Sequence, residues 1–401
     1  MPSNKLLLIL TLIFSNQVFA DMEYQKNTLL GGRASTLAGA YTAVSDDASA
    51  AFYNPAGLSF SQSSSFSGSS NVYSTSSTTY DKAIDNQDWK RNSNNLKPNF
   101  FGVVQKKGNE TYAFSYALTD AMVEHQDQIF QNLTSATDPI DLYVLNLHQE
   151  DSTYLIGPSY SKKISDEISW GASLFYHYRI YRRAQSQLIR YTDATDQASY
   201  LNTTKKEKGF KPEIGFMATL GKFSIGATLA KTLILTSLTD SQLNNKAKGA
   251  STYGFSQLIT IPKRKTPTEL QSGVAFFASP YLLFSSNVDY YLYSDTAHES
   301  VLNLSFGSEY YLSEKHAIRA GVYTNRTNNK EPSAATIAPL EHIDMYGVTA
   351  GYTLYSSTTA ITFGGIYSKG SGKAQIYDKS TATTNVKRSN FDFVVSADYG
   401  L

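Results

Sequence analysis

The residues able to do chemistry are few, and their spacing does not suit it. Histidine, the side chain that changes charge near neutral pH, occurs six times, at positions 125, 148, 177, 298, 316 and 342. None falls in a His-Glu-x-x-His pattern or any other paired ligand spacing. The chain has no cysteine, which removes thiolate nucleophiles, thiolate zinc sites and disulfide frameworks together. No Gly-x-Ser-x-Gly elbow is present. Ser173 and His177 lie on one side of an alternating run. At the strand rise they stand roughly 13 Å apart, beyond hydrogen-bond reach. Asp46-Asp47 imitates an acid/base dyad, but adjacent carboxylates among small residues suit turn capping or pairing with arginine better. No enzyme, no cofactor and no resident metal are expected.

The elements that carry these residues are more informative. Lys+Arg 35 against Asp+Glu 34 leaves no electrostatic footprint for nucleic acid. Charged residues are 17% of the chain, below the roughly 25% of a soluble domain. Tyr 29 and Phe 21 dwarf Trp 2. Residues 1–20 read as a cleaved secretory signal: Lys5, an apolar run Leu6–Phe14, then Val18-Phe19-Ala20 before Asp21. No later apolar run is long enough for a membrane helix. An exported chain of this kind is either soluble or a β-barrel.

Period two dominates the remainder. Phe391, Phe393, Val395, Ala397, Tyr399 and Leu401 alternate with small or charged residues. Ile168, Trp170, Ala172, Leu174, Tyr176 and Tyr178 repeat the pattern, as do Leu302, Leu304 and Phe306. Strands are expected at 58–70, 98–107, 110–123, 152–164, 167–183, 205–220, 222–236, 267–278, 281–295, 299–313, 316–327, 342–357, 359–370 and 388–401. Connections after the even-numbered strands are tight. Those after the odd ones, 71–97, 124–151, 184–204, 237–266, 328–341 and 371–387, are long and polar; only 296–298 is short. Short turns at one end and long loops at the other mark an outer-membrane barrel. The fold class is therefore all-β: a fourteen-stranded antiparallel transmembrane barrel in the outer membrane. A secreted β-sandwich or propeller is the rival, disfavoured by the long strands and the loop asymmetry. The terminal strand ending at Leu401 is similar to the signal read by barrel-assembly machinery.

Residues 21–57 do not alternate. Their small side chains suit packing in a confined lumen, and Asn54-Pro55 with Gly57 marks a sharp turn into the wall. The reading is an N-terminal plug at 21–57, followed by a barrel at 58–401. The positions Gly32, Arg33, Ala34, Gly39, Ala40, Ala43, Asp46, Asp47, Ala50, Asn54, Pro55, Ala56, Gly57 and Leu58 resemble the hatch signature of the FadL-like family. That resemblance implies an outer-membrane transporter of long-chain fatty acids or other hydrophobic compounds. It also implies a fourteen-stranded barrel and a lumen plug. A further implication is lateral release of ligand through a gap beside a kinked third strand. Alternation degrades over Asp120–His125, as a kink there would require.

Several site residues follow. Phe52, Asn54, Pro55, Ala56 and Gly57 are the expected ligand-responsive gate. Arg33, Gly39, Asp46 and Asp47 are expected to hold the hatch together, with Arg33 pairing a carboxylate of plug or wall. Tyr253, Phe255, Leu258 and Ile259 beside Lys263 and Arg264 are candidates for capturing an amphipathic anion. Arg179, Arg182 and Arg183 are candidates for contacting a headgroup or lipopolysaccharide. Partners are thus hydrophobic small molecules, outer-membrane lipid and the assembly machinery. The alternative function is a shuttle, attachment or secretion-associated role on the same fold.

Overall fold

The computed structural model describes residues 26–134, 138–261, 263–294, 298–332, 340–376 and 383–401. The signal at 1–20 and the start of the expected plug, 21–25, lie outside them.

Sixteen strand segments make one antiparallel sheet: β1 Ser65–Ile84, β2 Gln87–Lys107, β3 Glu110–Leu133, β4 Ile140–Lys163, β5 Ile168–Tyr191, β6 Asp196–Leu220, β7 Phe223–Lys231, β8 Leu233–Lys246, β9 Gly254–Thr260, β10 Thr268–Ser279, β11 Leu282–Leu292, β12 Val301–Ser313, β13 His316–Asn325, β14 Leu340–Tyr355, β15 Thr359–Gln375 and β16 Thr384–Gly400. β7 and β8 are one wall strand interrupted at Thr232: both pair with β6, on its inner and outer halves. β10 pairs with β7 and β9 with β8, so these two form the next wall strand. The wall thus has fourteen strands. It closes where β1 meets β16, from Ser65↔Gly400 to Tyr80↔Val386.

Alternation decides which way each side chain faces. On β5, Trp170, Leu174 and Tyr176 are exposed, whereas Ser169, Ser173, Phe175 and His177 are buried. Phe210, Ile214 and Phe216 on β6 and Leu302, Leu304 and Phe306 on β12 continue the outer belt. An apolar girdle that runs round the whole wall is far larger than the few hundred Å² a soluble surface tolerates. It needs lipid tails against it.

Three differences from the sequence reading have physical causes. Residues 71–97, 124–151 and 184–204 are mostly strand rather than loop. β1 and β2 run on to a two-residue turn at Asp85-Asn86, both with positive φ (45° and 65°), as a primed hairpin turn requires. Beyond the bilayer the outer face meets water, so Ser74–Thr79 are polar on both sides and the period-two signal fades. Similarly, 237–266 holds the β8–β9 hairpin. Finally, the wall starts at Ser65, not at 58: Leu58 lies in a 3₁₀ turn, Pro55–Phe60, and is fully buried. The connections 328–341 and 371–387 fall partly outside the described residues, and 296–298 almost entirely so.

Candidate functional site

Residues 26–60 lie inside the wall. Two short helices, α1 Gly32–Thr36 and α2 Ala50–Tyr53, and the 3₁₀ turn carry the segment. Leu30, Leu37, Tyr41, Val44, Tyr53 and Leu58 form a buried cluster with the inward-facing Phe100, Leu155 and Phe175 of the wall. Wall glycines let the two backbones touch: a Cβ at Gly171 would lie 2.5 Å from the Pro55 carbonyl, and one at Gly307 2.7 Å from that of Leu37. Gly39 adopts φ +73° and donates its N–H to the Ala34 carbonyl at 2.9 Å, turning the chain after α1.

The expected gate residues form a hydrogen-bonded corner. Asn54 is fully buried. Its Nδ2 donates to the carbonyls of Thr42 (2.8 Å) and Phe216 (3.0 Å), and its Oδ1 accepts the Ala56 N–H (3.1 Å). The Ala56 carbonyl accepts from Ser161 and Ser169 on β4 and β5, at 2.9 and 2.8 Å. Pro55 and Gly57 are buried beside them. Phe52 is set apart, partly buried and edge-on to Tyr53. Burial holds the Tyr53 hydroxyl proton on far above its usual range. That hydroxyl accepts the Leu30 N–H at 2.9 Å and donates to the Leu30 carbonyl at 3.2 Å.

Arg33 reaches both kinds of partner. It donates to Asp46 at 2.6 Å and, bidentately, to Glu309 of β12 at 2.8 and 3.0 Å. Arg319 also contacts Glu309. Asp47 instead closes the turn that precedes α2, accepting from the Ser49 N–H (2.8 Å) and hydroxyl (2.6 Å). The Tyr41 hydroxyl reaches both, 3.3 Å from Asp46 and 2.9 Å from Asp47, so the adjacent carboxylates tie the segment together rather than serve as an acid/base dyad.

Above Lys26–Thr28 lies a cavity of about 260 Å³. Apolar side chains at the strand-extended end, among them Ile84, Phe130, Tyr143 and Met345, pack together over it. Its wall contains a break in strand pairing, called the window below. The β2–β3 ladder runs from Lys107↔Glu110 to Phe100↔Ala117, then fails until a single bridge at Asn92↔His125. Seven residues on each strand, 93–99 and 118–124, are thus unpaired with one another. Both strands carry a bulge where pairing stops. On β2 the register against β1 slips between Ser69↔Phe100 and Ser70↔Pro98, and on β3 the register against β4 slips between Leu118 and Asp120. Bulges bend and twist a strand, and Pro98 has no amide hydrogen to offer a ladder. The lower edge of the window stands roughly 20 Å above the short turns, at the height of lipid tails.

Several charges around the cavity are paired. Arg91 of β2 contacts Glu124 across the outer end of the window and Glu341 of β14 at 3.0 Å. Arg388 holds the other Glu341 oxygen at 2.9 Å. Lys26, which the sequence reading passed over, pairs with Asp289 and donates to Ser305 at 2.6 Å. A second cavity, of about 80 Å³, lies between Phe52 and Tyr53 on one side and His177, Thr232 and Arg264 on the other. Such cross-strand pairs need the register, which no single sequence prints. The same holds for His125 and His148, whose Nδ1 atoms lie 2.9 Å apart across β3–β4. Among the described residues no group of three or more metal-binding side chains occurs.

The proposed capture residues are dispersed. Tyr253, just before β9, and Phe255, Leu258 and Ile259 on it are exposed, away from the cavity lining. Arg264 turns inward to Glu207 at 3.3 Å, while Lys263 faces out. The arginine trio is likewise split. Arg179 is buried against Asp151, Arg183 lines the large cavity, and only Arg182 is exposed, 3.3 Å from Glu150. A headgroup contact by all three is therefore excluded, because odd-numbered positions on β5 face the lumen.

No family model and no curated protein matches the chain. Solved structures do. The P. putida toluene transporter TodX aligns over 95% of this chain and 99% of its own, at 13% identity and a TM-score of 0.66. A Pseudomonas aeruginosa FadL homologue aligns over 92% and 98%, at 12% identity and 0.64. The Ralstonia pickettii toluene transporter TbuX aligns over 93% and 98%, also at 12% and 0.64. The chain shares their fold. With its apolar girdle, that fold points to a bacterial outer-membrane protein.

Proposed function

We propose that this protein is a passive outer-membrane channel of the FadL-like family. A hydrophobic small molecule binds in the lumen above the plug and leaves sideways into the bilayer. The observation that carries this reading is the break in pairing between β2 and β3, which lines the cavity and whose lower edge meets lipid at tail height. An apolar ligand on that route never has to cross an aqueous pore. Each CH₂ kept out of water is worth about 0.8 kcal/mol, so sideways release requires no energy source.

Cavity size favours small ligands. About 260 Å³ exceeds the roughly 150 Å³ that encloses benzene and falls short of the roughly 300–1,000 Å³ of drug-sized pockets. A monocyclic aromatic fits as it stands. A long-chain fatty acid, the first ligand implied by the hatch signature, fits only with its tail already in the window.

The test is uptake of toluene and of a long-chain fatty acid by cells lacking other such channels. Replacing Ala121, which lines the window, by Trp should lower uptake about tenfold or more, since overfilling a formed space costs about 1–3 kcal/mol. Barrel assembly should be unchanged, as judged by heat-modifiable gel migration. Unchanged uptake in Ala121→Trp would remove the lateral route. Uptake that persists without the protein would remove the transport reading altogether.

A further inference from the structure

We propose that Lys206, Lys208, Lys263 and Lys265 form a binding site for the phosphorylated headgroups of lipids in the leaflet at the strand-extended end. The argument begins with β6, whose outward row changes character along its length. Phe216, Ile214 and Phe210 are exposed and apolar; the next two outward residues are Lys208 and Lys206, both exposed. Twelve residues separate Lys208 from Leu220 at the short-turn end. With the usual strand tilt that is a height of roughly 30 Å, just above an apolar band of about 25 Å. The lysines therefore stand at the level of lipid headgroups, and Phe210 at the top of the tails.

Lys263 and Lys265 are brought to the same place by a buried contact. Arg264, between them, reaches through to Glu207, which is fully buried between Lys206 and Lys208. Thr266 Oγ1 fastens the same segment to the Thr232 carbonyl at 2.5 Å. With Arg264 turned in, its neighbours Lys263 and Lys265 remain exposed. The inward charges are already matched: Glu207 meets Lys205 at 3.1 Å as well as Arg264. Asp240, the acid on the adjoining stretch of β8, accepts from Gln257 at 2.9 Å. No ion pair to any of the four lysines is found among the described residues. Just below and beside them, Leu233, Leu235 and Leu238 are exposed on β8. Four cations above a greasy step match a lipid phosphate with its acyl chains beneath. A free phosphate ion would use only the upper half of that surface.

The experiment counts lipids retained by the full-length protein, by native mass spectrometry after exchange into micelles doped with lipid A. Dephosphorylated lipid A and inorganic phosphate are the other two probes. Wild type should retain lipid A. The pair Lys206→Gln/Lys208→Gln should lower retention about tenfold or more, at about fivefold per lysine, and adding Lys263→Gln/Lys265→Gln should abolish it. Arginine at the same positions should preserve it. Lys162→Gln/Lys222→Gln, at the short-turn end, should have no effect. Equal retention of dephosphorylated lipid, or full retention by the quadruple variant, would overturn the proposal. So would complete displacement by inorganic phosphate at the lipid's own concentration. Toluene uptake is not part of this readout, so failure here leaves the transport reading untouched.

Discussion

Asn54→Ala tests whether the plug is seated by specific hydrogen bonds or by packing alone. The substitution removes two donated bonds and one accepted bond from a fully buried side chain. The Ala56 N–H and two carbonyls lose this partner. A buried group left unpaired costs about 1–3 kcal/mol, and the loss of a cap about 1 kcal/mol. These terms overlap, so the expected loss is about 2–4 kcal/mol. The unseated population should then rise roughly 30- to 1,000-fold. None of these bonds belongs to a strand ladder, so the wall should assemble normally. Hydrogen exchange in detergent reads the outcome directly: amides of 41–57 should exchange faster by that factor, and those of β4 and β5 at their former rate. Acceleration of less than roughly threefold, with the variant's barrel intact, would show that Asn54 contributes little more than volume. If the seated plug also governs ligand binding, uptake should fall in the same variant.

Two further changes address the same seat. Gly171→Val places a side chain against the Pro55 carbonyl; overpacking of this kind costs about 1–3 kcal/mol, and exchange should quicken over 50–60 while heat-modifiable migration is unaltered. Glu309→Gln should loosen α1 more than Arg33→Met does, because it leaves the buried Arg319 without its carboxylate and Arg33 with Asp46 alone, whereas the methionine leaves Glu309 with Arg319. Exchange over 32–37 separates the two, and equal effects would refute the ordering.

What was legible in the sequence was whatever one strand can carry alone. Trp170, Leu174 and Tyr176 against Ser169, Ser173 and His177 announce a face toward lipid and a face toward the lumen, because period two is local. The short turns were legible for the same reason, and the run from Gly32 to Leu58 stood out by failing to alternate. The strand extensions were not. Once β1 leaves the bilayer, Ser74–Thr79 are polar on both sides, and a strand between two wet surfaces has no pattern to show. Nor was the site itself legible. The window depends on two bulges that slip the register, and the Arg91–Glu124–Glu341 network joins residues up to 250 positions apart. Pro98 inside a strand was a visible signal that the ladder would not continue there.

The polarity of the cavity, taken alone, argues against a hydrophobic ligand. The window supplies the reason for it. Interrupting the β2–β3 ladder frees backbone donors and acceptors beside lipid tails, where each unsatisfied group costs several kcal/mol. Something must partner them. Asn95 Nδ2 donates to the Ala121 carbonyl at 2.6 Å, from one side of the break to the other. Asn99 Nδ2, in the β2 bulge, donates to Asn71 at 2.6 Å. Above them Arg91 and Glu124 join the two strands where pairing is about to resume. Asn95 thus substitutes for a missing strand bond, while Asn99 and Asn71 satisfy each other beside the bulge. Apolar contact is left to Leu118, Met122, Leu145 and Leu147, which line the same space. A lateral opening in a hydrogen-bonded wall calls for such substitutes, an amide side chain in place of an amide backbone, so that a ligand on that route passes a backbone carbonyl whose bond is already made.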